Sequence, residues 1–550
     1  MDASLSLIFG LPGQGALLRL DTVSLFFCAI LLPQIIASAA AGMRGSVGFW
    51  FIVAGMGLTL LAGTVFALVL GVGVMGVASW CMVVRGDTRL AARYAGIMVF
   101  ALICLVPALL LPIPSLAFVL VLLATGALAG LVPFYGWLPG VYAALPEPVA
   151  ALMSGGVLNL AFYILIRCGF ITEAGAQQPW WGVLLLVLGA LSLLIGALKA
   201  ALEVDLRGAL NWSTIAAAGL IAMGVGIALL AKALDNQELT GLALQAALLG
   251  MLAHGLFKPL LCIGAGEVRR AVGTTSLNWL GGLMRGMPRL GGLMALGAAG
   301  LALLPLGPAF APLFLLTHAV VGMAARGGIA AHFGCAVVLA ILGLGMTLLL
   351  ATAVKIIGLG FLGRPRSLHA AAAEDIRHGP FLGMVLLGIL SVPIALVPGI
   401  VLFLCAPVIE TLAPLAQTVP LAYAPLTLCL LAGLALVAAV LAQMRWGVRG
   451  LRETPAWNGG FGAPPAWLPF GDPHTQSSAS GFVAPLIASL GHAVPLDPAE
   501  WFLWRPLKRL CRRALGLPRC TQALPAQLWL VALFAALLLA LLIFTLAWGG

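Results

Sequence analysis

The stretch from Trp181 to Leu198 contains no charged residue, and neither does the stretch from Ala526 to Trp548. A helical crossing of a bilayer takes roughly 20 apolar residues. Backbone groups in hydrocarbon must satisfy one another, so only helices or a closed barrel can span. Barrel strands alternate apolar and polar residues over about 10 positions, and these runs do not alternate. They predict helices, and similar runs recur along the chain. The 550 residues therefore read as an all-α polytopic membrane protein with about 14 or 15 transmembrane helices. Composition agrees: charged residues make up 8% and hydrophobic residues 62%, against about 25% charged in soluble domains. Mean hydropathy is +1.14.

The net charge of +11 would suggest nucleic acid in a soluble protein. Here it comes mostly from Arg in short loops, which the positive-inside effect explains without nucleic acid. Loops around Arg44, Arg85–Arg93, Arg207 and Arg269–Arg289 fall on one side, which should be cytoplasmic. The ten cysteines show no CxxC pair, so no metal or cluster framework is expected, and no cofactor. The N-terminus has neither a basic start nor a small-residue cleavage site, so no removable signal peptide is expected.

The spans divide the chain. Residues 1–90 hold N-terminal helices, with a span near 22–41 and two crossings in 49–84 joined by a bend near Ala62–Gly63. Residues 91–232 and 233–363 form two further helical units, and 364–444 add more helices, including spans near 381–406 and 421–443. Residues 445–525 are more polar. In 501–516 the cations Arg505, Lys508, Arg509, Arg512 and Arg513 alternate with Trp501, Trp504 and Leu507. That pattern predicts a basic amphipathic helix on the membrane surface. Residues 526–550 supply a last anchor helix. Together these pieces form either an arm reaching a neighbour or a plain anchor.

Ionisable groups at membrane depth are costly and mark functional candidates. His254 and Lys258 lie four apart, on one helix face. Lys355 sits in another apolar run. Buried Lys and His can gain and lose protons at modest cost, so these three residues are candidates for a proton path. The bland alternative is a Lys258 that snorkels and a His254 with a structural hydrogen bond. Glu147, Asp205 and Arg207, near span starts, are candidate modulators. Lys199, Glu203, His318 and His332 lie near span ends.

Several strings resemble the antiporter-like membrane subunits of complex I and membrane-bound hydrogenases. Gly130–Pro139, GLVPFYGWLP, is similar to the family's VPFHxWLP turn. Leu145–Gly155, LPEPVAALMSG, resembles APxPVSALLSG. Asp205–Gly219, DLRGALNWSTIAAAG, resembles DLKRLLAYSSIxxxG. His254–Gly266, HGLFKPLLCIGAG, resembles HALFKALLFLGAG, and Leu280–Pro288, LGGLMRGMP, resembles LGGLxRxMP. Lys355–Ser367, KIIGLGFLGRPRS, and Pro455–Gly462, PAWNGGFG, are similar to the hydrogenase-4 component B and formate hydrogenlyase branch.

The resemblance implies two inverted five-helix repeats, each with a broken helix: 91–232 as the first and 233–363 as the second. It implies no redox centre in the chain. It also implies partners among the antiporter-like, hydrogenase and quinone-module subunits of a redox complex, within membrane lipid, in the bacterial cytoplasmic membrane. The chain departs from the family on the chemistry. Leu128 stands at the family's first-channel Lys, Gly73 at its paired Glu, Asn159 at a second helical Lys, and Gly250 at the first His of an HxxxHxxxK series. The implied function is coupling of electron transfer in partners to proton translocation, through the second half only. The alternatives are a non-pumping coupling subunit and a membrane partner in inorganic-carbon uptake. No catalytic centre is expected in the chain itself.

Overall fold

The computed structural model describes residues 18–416 apart from 111–112, 171–177, 306 and 326–327. It also describes 5–7, most of 431–441, and 478–490. The segment 501–516 and the final span near 526–548 lie outside the described residues, as does most of the span near 421–443.

A short ribbon opens the chain, with β1 (Leu5–Leu7) antiparallel to β2 (Leu18–Leu20). Helices follow. They are α1 (Thr22–Ser38), which continues as a π-helical turn over Ala39–Met43, α2 (Val47–Leu60), α3 (Val65–Val84), α4 (Thr88–Leu110), α5 (Pro114–Ala129) and α6 (Leu138–Ala144). Next, α7 (Glu147–Leu152) passes through a π-helical turn at Met153–Val157 into α8 (Leu158–Phe170). Then come α9 (Pro179–Leu202), α10 (Leu206–Ala233), α11 (Gln237–Val272), α12 (Leu283–Gly286), α13 (Pro288–Leu301) and α14 (Phe310–Ala325). The last are α15 (Ile329–Lys355, with a π-helical turn to Phe361), α16 (Leu368–Ala371), α17 (His378–Leu396), α18 (Pro398–Leu412) and α19 (Ala479–Leu490). Among the described residues, nine helices are long and apolar enough to cross a membrane, and four more are apolar but shorter.

Local chemistry sets the boundaries. Side chains of Asp21, Ser46, Thr64, Asp205 and Asn236 accept the N–H three residues on and so cap α1, α2, α3, α10 and α11. Each satisfies a donor that the first helical turn leaves orphaned. Gly130 ends α5 in the left-handed region (φ 69°, ψ 35°), a conformation glycine adopts without a Cβ penalty. The expected bend at Ala62–Gly63 separates α2 from α3. The span read as 381–406 is two helices, because the chain turns at Val397 and Pro398 opens α18. Proline lacks the N–H that would continue α17 and suits a first helical position. In the polar segment 445–525, α19 is apolar, and Asn278 Oδ1 accepts from the N–H groups of Ala479 (2.9 Å) and Ser480 (3.3 Å) at its start.

Two spans are interrupted. The first breaks between α5 and α6, around Pro133. The second breaks between α13 and α14, where Leu303 adopts φ 55°. These interruptions match the expected broken helices. Helices α9 and α10 meet along glycines: a Cβ on Gly182 would stand 2.4 Å from Gly226 O, and one on Gly196 would stand 2.4 Å from Ala216 N. Small residues allow this backbone approach, which drives helix association in lipid. The helix pair α7–α8 is buried along its whole apolar window, whereas α15 buries only 28% of its window. The core thus lies on α7–α8, α10 and α11, and α15 turns much of its surface outward.

Candidate proton site

Helix α11 carries Gly250, His254 and Lys258 at intervals of four, and so on one face. The helix runs to Val272, so Lys258 lies 14 residues from its end, deeper than a snorkelling Lys usually sits. Lys258 is 1% exposed and His254 is 2% exposed. The Lys258 ammonium donates to the Leu210 carbonyl and to Ser213 Oγ, both on α10. Ser213 Oγ also donates to Leu210 O at 2.8 Å. Thr214 Oγ1 reaches the same carbonyl at 3.3 Å and meets Ser154 Oγ, in the π-helical turn before α8, at 2.9 Å. A seam of hydroxyls therefore leads from the ammonium across α10 to the α7–α8 helix.

Neither ring nitrogen of His254 has a protein partner among the described residues. The ring packs edge-on against Phe257, with centroids 5.8 Å apart. Both His254 and Lys258 border a cavity of about 60 Å³, together with Ser213, Gly250, Gly300 and Leu303. A water needs about 10–15 Å³ of such space, so several fit. Gly300 lies in the last turn of α13 and Leu303 in the α13–α14 interruption, so that break opens onto the same space as the imidazole. Irregular backbone at membrane depth is tolerated where it lines such a cavity.

Lys355 is fully buried elsewhere. Its ammonium donates to the carbonyls of Ala200 (3.1 Å), Ala201 (2.6 Å) and Glu203. These lie at the C-terminal end of α9, where the helix dipole favours a cation. Lys355 is not brought to the cavity, although Leu349, less than two turns earlier on α15, borders it.

The candidate modulators gather near the ends of α10 and α11. Glu147 Oε1 accepts from Arg269 at 2.8 Å and forms an ion pair with Arg207 at 3.2 Å. Arg207 also donates to the carbonyls of Tyr142 (3.2 Å) and Leu145 (3.0 Å). Asp205 acts locally. It caps α10 through Gly208 N (2.9 Å) and accepts from Thr275 Oγ1 at 2.6 Å. His318 and His332 each bond the carbonyl four residues earlier, at 2.9 and 3.0 Å, on exposed positions. Lys199 stands over the Trp212 ring at 5.5 Å.

The four substituted family positions have distinct surroundings. Leu128 is 1% exposed in apolar packing, and Gly73 is buried on α3. Gly250 borders the cavity. Asn159, on α8, donates to Met251 O on α11 at 3.1 Å. Sequence reasoning does not single out Ser213, Thr214, Ser154 or Gln34. The first two are visible as hydroxyls within DLRGALNWSTIAAAG. Ser154 is likewise visible within LPEPVAALMSG, and Gln34 carries no local signal.

Residues 109–340 match the family of NADH:quinone oxidoreductase/Mrp antiporter transmembrane proteins. Hydrogenase-4 component B of Escherichia coli is 31% identical over 283 residues, covering 51% of this chain and 42% of that protein. Formate hydrogenlyase subunit 3 of Escherichia coli is 32% identical over 267 residues, covering 48% and 43%. The matched region thus spans less than half of either relative. In fold, the chain is similar to one from the membrane-bound sulfane sulfur reductase, an archaeal respiratory membrane complex. That likeness has a TM-score of 0.76 at 20% identity and covers 98% of this chain and 92% of the other. The resemblance to antiporter-like membrane subunits related to complex I and hydrogenase-4 component B therefore holds.

Proposed function

From its likeness to antiporter-like membrane subunits, we propose that this chain couples electron transfer in partner subunits to proton translocation through its second half only. The complex would be of the complex I or membrane-bound hydrogenase type, in a bacterial cytoplasmic membrane. The observation that carries this reading is the buried pair His254 and Lys258 at a cavity with room for water, opened by a broken helix. A lysine ammonium and an unpartnered imidazole on one helix face can exchange a proton through intervening waters. Ser213 and the Leu210 carbonyl hold the ammonium from the other side. Lys355, the next buried ammonium, takes the proton onward at the end of α9. The first half lacks titratable groups at Leu128, Gly73 and Asn159, so the reading gives it no path.

The test is Lys258→Met in the complex purified and reconstituted into vesicles. Electron transfer should continue while proton uptake or release per electron falls to background. Unchanged proton transfer in an intact complex would sink the proposal. One observation favours a second reading, a subunit that links its partners without pumping: three backbone carbonyls accept from the Lys355 ammonium, as in a structural cap.

A further inference from the structure

A second, smaller cavity of about 10 Å³ lies between α1, α2 and α8. Most of its lining is apolar, including Phe27, Leu31, Met56 and Leu160, and the polar exceptions are Gln34 and Asn159. Both are buried, at 0% and 3% exposure. Their amide orientations are set by their partners: Gln34 Nε2 donates to Ile30 O at 3.0 Å, and Asn159 Nδ2 donates to Met251 O at 3.1 Å. Turning either amide over would set oxygen against oxygen. The amide oxygens Gln34 Oε1 and Asn159 Oδ1 are therefore left as acceptors, and neither has a donor among the described residues. Two glycines make room for this pair. A Cβ on Gly155 would stand 2.4 Å from Gln34 Oε1, and one on Gly255 would stand 2.8 Å from Gln34 Nε2 and 3.0 Å from Asn159 Nδ2.

We infer that this cavity binds one water molecule, which donates a hydrogen bond to each amide oxygen and forms a neutral polar node in the first half of the chain. Buried acceptors rarely go unpaired, and the space suits about one water. A cation is the poorer occupant. Among the described residues no carboxylate borders the cavity, and two neutral oxygens do not offset the loss of a cation's hydration. The node has a mechanical consequence. Asn159 grips Met251 O, and Gln34 and Asn159 both crowd Gly255, so the turn of α11 carrying His254 is fastened from behind. Resting on the second-half reading above, the node fills the place of an ionisable group without supplying one, because carboxamides and a water between them hold no exchangeable charge.

The test uses the intact membrane complex and does not depend on proton transfer. A cryo-EM map that resolves other buried waters should show one peak about 2.7–3.2 Å from both oxygens. An empty cavity in such a map would overturn the inference. Sodium or potassium, replacing choline at equal ionic strength, should leave the unfolding temperature unchanged. A rise would mark a cation and overturn it too. In a double-mutant cycle, Gln34→Met and Asn159→Leu should be non-additive, with the double variant no less stable than the worse single variant, because a shared water couples them. Strict additivity would count against a shared ligand. If the water is found but Lys258→Met still pumps, the proton reading fails and the node stands.

Discussion

Glu147 and Gly266 press together: a Cβ on Gly266 would stand 2.7 Å from the Cβ of Glu147. Gly266 lies eight residues after Lys258 on α11. The carboxylate therefore sits about 12 Å further along the same helix face, at 1.5 Å per residue. Cys262, midway between them, is within electrostatic reach of both Lys258 and Arg207. Glu147, with its two arginines, closes this end of the face that begins at His254. Glu147→Ala leaves the mostly buried Arg207 without its anion. The loss should approach, but not reach, the roughly 3–5 kcal/mol of a fully buried pair, because two backbone carbonyls still hold Arg207. Thermal unfolding of the complex checks this. Gly266→Ala should be destabilising with the carboxylate intact, by overpacking worth about 1–3 kcal/mol.

At the far end of the α7–α8 helix, Arg167 pairs with Asp21 and donates to Ser24 Oγ at 2.9 Å. Burial of Asp21 works to raise its pKa. The Ser24 N–H and the Arg167 guanidinium outweigh it and hold the carboxyl below its ordinary 3.8. An acid depressed in the folded state adds stability that is present above its unfolded pKa and is lost as pH falls through the folded one. The unfolding temperature should therefore lose this contribution only below about pH 4. Asp21→Asn should remove that part of the acid dependence and lower stability near neutrality. An unchanged acid limb in the variant would refute the assignment.

Much of the scaffold is legible in the sequence alone. The charge-free runs mark the spans, and Pro133 and Pro305 stand near both interruptions. The face shared by His254 and Lys258 follows from helical spacing alone. What the sequence does not show depends on contacts between distant segments. Lys355 meets carbonyls more than 150 residues earlier, which no local pattern encodes. The approach of Gln34 to Gly155 and Gly255, and of Asn159 to Gly255, also joins distant segments, and each glycine reads locally as a mere small residue. The apolar run at 381–406 looks continuous because hydropathy does not register the missing N–H of Pro398.

Lys355→Arg separates a relay from a cap. Arginine keeps a positive charge against the α9 carbonyls but does not give up its proton. The variant should assemble and stay within about 1–2 kcal/mol of the parent, since the helix-end interaction is retained. It should nevertheless lose coupled proton transfer. Full transfer would leave Lys355 as a cap alone. Lys355→Met should destabilise under either role, most clearly as faster amide exchange near residues 200–203.

Gly250→His tests whether the cavity has the room its lining implies. A Cβ there would meet only Ile221 Cγ1 and Pro312 Cβ, both at 3.7 Å, which is ordinary contact. The imidazole would enter the 60 Å³ space and displace water, in line with His254 and Lys258. The complex should keep its unfolding temperature to within about 1 kcal/mol of stability. Collapse of assembly would show that the space closes in the complex.

Restoring the first-half charges should have the opposite outcome. Leu128 is 1% exposed and borders neither the His254 cavity nor the Gln34–Asn159 cavity. A lysine at that position would put an ammonium into apolar packing. Adding Gly73→Glu supplies an anion but also a side chain where α3 is buried. Paired charges in the interior regain their desolvation cost only with good geometry and further hydrogen bonds. Leu128→Lys with Gly73→Glu should therefore lower the yield of assembled complex severely, and Leu128→Lys alone more so. Normal assembly of the double variant, with new proton transfer that survives Lys258→Met, would show that the first half still holds an open path.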